Sequence, residues 1–155
     1  MAGRGLKQDI KERLQIEEPA RFSKRDIVDA FFGALFLGVT FSVKGLLIDI
    51  SLALKSINMI MIPLFTLVIL TAEIYYIGYS RVKKKAERRF GQFWMKRIVS
   101  FYIIAILTSF LLIYLFGLNN LPAIANNPEN ITRLVVLISL PCSIGAAITD
   151  LIKRF

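Results

Sequence analysis

The chain has 155 residues, 55% of them hydrophobic, and its mean hydropathy of +0.60 exceeds what a soluble domain of this length needs for its core. Its formal charge is +9 with a pI near 9.9, and it holds no histidine and one cysteine. Those counts exclude a bis-histidine haem, a histidine-containing zinc or di-iron site, an internal disulfide and a dithiol redox pair.

Residues 1–22 read as a cytoplasmic arm. In "GLKQDIKERLQIEEPARF" the apolar residues Leu6, Ile10 and Leu14 recur every four positions on an otherwise charged stretch, the pattern of an amphipathic helix lying on the inner membrane surface. Pro19 ends that helix. Ser23 then caps the next one, with Asp26 three residues on completing a variant capping box, so residues 23–155 form the membrane domain. The arm has no apolar h-region and no small-residue cleavage site, which argues against a cleaved signal peptide.

Four apolar runs follow. "IVDAFFGALFLGVTFSV" begins at Ile27; Ile57 to Tyr79 and Ile98 to Leu118 are each more than twenty residues long with at most one formal charge; "ITRLVVLISLPCSIGAAITDLI" begins at Ile131. Runs of this length span a bilayer as helices, and the expected fold is all-α, a membrane-embedded four-helix bundle with an N-terminal amphipathic helix. Between the first two runs, Lys44 to Ser56 reads either as an outer interfacial segment or as a tilted continuation of the first helix. Gly117 is placed to take a left-handed cap after the third span, and Pro128 to occupy the first turn of the fourth behind Asn127.

The stretch "SRVKKKAERRFGQFWMKR", Ser80 to Arg97, would suggest a nucleic-acid grip on a soluble chain. Flanked by two membrane spans, it reads instead as a topology determinant. Lys83, Lys84, Lys85, Arg88 and Arg89 meet anionic lipid headgroups, with Trp94 at the interface, and no nucleic acid is a partner. Of the 20 Lys and Arg, seven lie before the first span, eight in this stretch and two in the tail, against Lys44, Lys55 and Arg133 on the other side. That bias sets both termini and the middle stretch in the cytoplasm of a cell-membrane protein.

Ionisable residues inside a membrane are costly and carry a functional presumption. Glu73 lies eight residues before Arg81, about 12 Å inside the basic belt at the helical rise. Asp29, four residues past Arg25, and Asp150, three before Lys153, are roughly 6 and 5 Å deep on the same measure. Helical spacing then puts Pro63, Thr66 and Glu73 on one face of the second span. It puts Asp29, Gly33, Thr40 and Lys44 on one face of the first, and Thr132, Val136, Ser139, Ser143, Ala146 and Asp150 on one face of the fourth.

Such stripes serve helix packing, or they line a polar path through Thr66, Thr40, Ser139 and Ser143 to a proton or cation site at Glu73, Asp29 and Asp150. The resulting functional reading is a small ion- or proton-conducting channel or transporter, a homo-oligomer because four short helices enclose little volume. The alternative is a non-catalytic scaffold or accessory subunit that holds lipid or a cytoplasmic protein partner. No nucleophile and base pair, Walker loop or dinucleotide fingerprint is present, so no enzyme and no cofactor are expected.

The arm, the stretch "RFSKRDIVDAFFGALFLG", the acid in the second span and the basic middle stretch together resemble an uncharacterised family of small prokaryotic, archaeal or bacterial, integral membrane proteins. That resemblance implies a membrane location and no particular activity. Small multidrug transporters are similar in span number, but their acid lies in the first span and here the deepest one lies in the second.

Overall fold

The computed structural model describes residues 24–79, 92–125 and 127–152. The amphipathic arm, the Ser23 cap and the cluster Lys83, Lys84, Lys85, Arg88 and Arg89 fall outside the described residues. All regular structure among the described residues is helical: α1 Lys24–Ser42, α2 Leu46–Ala53, α3 Ser56–Tyr79, α4 Gln92–Leu115, a 3-10 turn Leu118–Asn120, α5 Pro122–Ala125 and α6 Pro128–Ile152.

Three helices are long and apolar enough to cross a membrane alone, α3, α4 and α6, each about 36 Å long at 1.5 Å per residue. A fourth span exists only if α1 and α2 are counted together, and these two meet at 89°. The first half of α1 carries Lys24, Arg25, Asp26 and Asp29, which is why it does not qualify by itself. The Lys44 to Ser56 segment is therefore not a tilted continuation of the first helix. It is a separate short helix turned across the end of the bundle.

The helix ends follow local chemistry. Gly117 takes a left-handed φ of 64° after α4, where a side chain would be strained. Pro128 opens α6, where its missing N–H costs nothing, and the Asn127 side-chain oxygen accepts the Glu129 N–H at 3.0 Å.

At the centre of the bundle stands α6, which packs against every other described helix. Some 56% of its span is buried, against 39% for α4 and 17% for α3, so α3 is the peripheral helix. In a bilayer the lipid tails are as apolar as leucine, and association depends on close backbone approach. The sequence supplies small residues where this happens. The buried side of α1 is Ala30, Ala34, Gly38 and Ser42, one every fourth residue, and together with Gly33 it meets Cys142, Gly145 and Thr149 on α6. At Gly33 an added Cβ would overlap the Gly145 carbonyl oxygen and Thr149 Oγ1; at Gly145 it would stand 2.8 Å from the Gly33 carbonyl carbon. One turn along, Gly38 admits Leu112 of α4 and the Cys142 sulfur to within 2.6 Å of the same imaginary atom. The order of these contacts makes α1 and α6 antiparallel.

Candidate functional site

Because Gly33 meets Thr149, Asp29, one turn before Gly33, and Asp150, next to Thr149, lie at the same end of the α1–α6 pair. Asp29 is half-buried and engaged with a neighbouring group; the Asp150 side chain is outside the described part. On α3, Glu73 lies two residues from the end of the span, in the helix end that residues 80–91 connect to the start of α4. Glu73 is half-buried beside the buried Leu70 and Ile74, and its Oε2 is enclosed without a hydrogen-bond partner among the described residues. A carboxylate oxygen enclosed without a donor is costly.

Hydroxyl groups on the stripes are more fully occupied. Thr66, completely buried on α3, donates to the Ile62 carbonyl at 2.8 Å. Ser139 donates to Val136 O and Ser143 to Ser139 O, both at 2.7 Å. Thr108 and Ser109, buried on α4, do likewise with Ile104 O and Ala105 O. Each satisfies its proton within its own helix, and Ser139 and Ser109 also meet the Tyr102 hydroxyl and the Cys142 thiol.

Two parts of the sequence-derived pattern need correction. Thr40 is exposed, with its hydroxyl donating to Phe36 O at 2.9 Å, and does not share the interior with Ser139 and Ser143. The interior face of α1 runs through Ala30, Ala34, Gly38 and Ser42, with close approach at Gly33 and Gly38; Thr40 lies on another side of the helix, and Lys44 follows its end. Likewise, Arg97, the last residue of the basic stretch, is not on the surface. It lies inside α4 and is 2% exposed, beneath Phe101 on the face that continues as Ile104, Thr108 and Leu112. Extending that three-and-four spacing back by one turn points to Arg97, a signal present in the sequence. Trp94 is within α4, and its side chain is outside the described part.

Arg133 is the residue the sequence reading undervalued. Its Nη2 pairs with Glu129 Oε1 at 2.8 Å, and its Nη1 donates to the Leu52 carbonyl of α2 at 3.3 Å across 81 residues of sequence. The four-residue spacing of Glu129 and Arg133 is readable as a helical ion pair; the tie to α2 is not, since nothing in the sequence announces the 89° turn.

Among the described residues no group of three or more potential metal-ligating acids or cysteine comes together. No curated protein and no solved structure matches the chain. A family model described as "Putative integral membrane protein (DUF2391)" matches residues 4–152, nearly the whole chain, and the protein therefore belongs to that family of multi-pass integral membrane proteins.

Proposed function

We propose that this protein is a small proton or cation pathway of the cell membrane, built on four spans with both termini and residues 80–91 in the cytoplasm, in which Glu73 is the exchanging group. The observation that carries the reading is the enclosed Glu73 Oε2, a carboxylate oxygen without a hydrogen-bond donor in a helix that crosses the membrane. Support comes also from the buried hydroxyls of Thr66, Ser139 and Ser143, and from Asp29 and Asp150 at one shared end of α1 and α6. Four short helices enclose little volume, so the working unit is a homo-oligomer in this reading.

Reconstituted protein tests it. Glu73→Gln keeps size and most hydrogen-bonding capacity while removing the titratable charge, so the fold survives and proton-driven flux falls to near that of empty liposomes. Wild-type flux unaffected by the substitution rules out the site.

A second reading, a non-catalytic scaffold that holds lipid or a cytoplasmic partner through the arm and the basic stretch, draws on a specific observation. Five buried hydroxyls on three helices all spend their protons on their own backbone, as in helices that simply pack. Under that reading the purified wild type shows no flux over a broad range of ions and pH, and Glu73→Gln leaves partner capture unchanged.

A further inference from the structure

The sharp turn between α1 and α2 is held by local backbone hydrogen bonds and few side-chain contacts. Residues 43–45 join the helices, with the Val43 and Lys44 N–H groups donating to Val39 O and Phe41 O at 3.3 and 3.2 Å; both side chains are exposed, and Lys44 Nζ lies over the Phe41 ring, 5.6 Å from its centroid. Gly45 has φ −53° and ψ −32°, a helical conformation open to any residue, and a Cβ built on it meets nothing within 4 Å. The bent state therefore makes no demand for glycine at 45, and the glycine adds only conformational freedom.

Beyond this link, α2 rests on α6. Ser51 and Leu54 are buried in that contact, and the Arg133 guanidinium grips the Leu52 carbonyl, one of the last carbonyls of α2 and so without a helical partner of its own. Glu129 braces the same guanidinium. Two polar atoms are enclosed without hydrogen-bond partners among the described residues at the two ends of this arrangement, Ser42 Oγ at the turn and Arg133 Nε at the grip. Both are burdens on the bent state.

We propose that α2 is a hinged strap, pivoting at residues 43–45 and latched across the outer end of the bundle by Arg133 on the Leu52 carbonyl. When the latch opens, Ser51 and Leu54 leave α6 and α2 swings as a helix about Gly45. The inference stands on the turn and the latch, and it holds whichever of the two functional readings is correct.

Thiol accessibility in the full-length protein reads the strap directly. One reporter is Ser51→Cys in a Cys142→Ser background; the other is the native Cys142, buried in the bundle core. In the latched protein both thiols react slowly with a small maleimide. Arg133→Gln raises the labelling rate at position 51 by about tenfold or more, the scale of losing one charge-assisted hydrogen bond, and leaves Cys142 unchanged. Glu129→Gln, which loosens the guanidinium without removing it, raises the rate at 51 by a smaller factor and gives the reading if Arg133→Gln does not fold. An unchanged rate at position 51 overturns the latch, and so does a parallel rise at both thiols, which would report loosening of the whole bundle.

Discussion

At Thr40 and Thr66 the same residue type has opposite surroundings. Both hydroxyls donate to a carbonyl four residues back, at 2.9 and 2.8 Å, but Thr40 is on the outside of α1 and Thr66 is sealed on α3. Spacing alone put both on interior stripes because a helical wheel gives relative angles and not the absolute face, which neighbouring helices decide. For α1 the decision rests with Gly33 and Gly38, where backbone approach requires the absence of a side chain. Thr40→Val is accordingly expected to change neither the unfolding midpoint nor any ion flux, checked by thermal unfolding in detergent and in reconstituted vesicles. Arg97 shows the converse: its charge suggested the surface, while its phase on α4 put it inside. Glu73 was legible from its depth in an apolar run; that one of its oxygens lacks a donor was not, since that depends on side chains from other helices.

The long elements were legible because hydropathy and length settle them. The second apolar run was read as Ile57 to Tyr79 and the helix spans Ser56–Tyr79; the third was read from Ile98, while the helix begins at Gln92, since charged residues can continue a helix past the apolar run. Pro63 and Pro141 sit within helices without ending them, as membrane helices allow. A break between α1 and α2 is one of the two readings that Lys44 to Ser56 allows, but its 89° angle is not legible, because Ser42, Val43, Lys44 and Gly45 include no proline. Two glycines separate the packing of these elements from their connection. Gly33→Val drives atoms into the Gly145 carbonyl and costs about 1–3 kcal/mol or prevents the helices from closing. Gly45→Ala, at a helical φ and ψ with open space around it, stabilises by about 0.5 kcal/mol through the unfolded chain. Denaturant titration in mixed micelles measures both, and a Gly33→Val protein as stable as wild type contradicts the close crossing.

The whole molecule is arranged around α6, with α1 and α4 packed closely on it and α3 at the margin. Both functional readings depend on how many times the chain crosses the membrane, because only a fourth crossing by α1 with α2 brings the arm to the same side as residues 80–91. Seven Lys and Arg of the arm region and its helix start, with eight more from Arg81 to Arg97, favour that arrangement. With three crossings, the arm instead shares a side with α5. Single cysteines at Gln8, Ala86 and Ala125, in a background lacking Cys142, separate the two when labelled with an impermeant maleimide on intact cells and again after permeabilisation. Four crossings predict that Gln8→Cys and Ala86→Cys react only after permeabilisation and Ala125→Cys reacts on intact cells; reaction of Gln8→Cys on intact cells alongside Ala125→Cys would contradict the account.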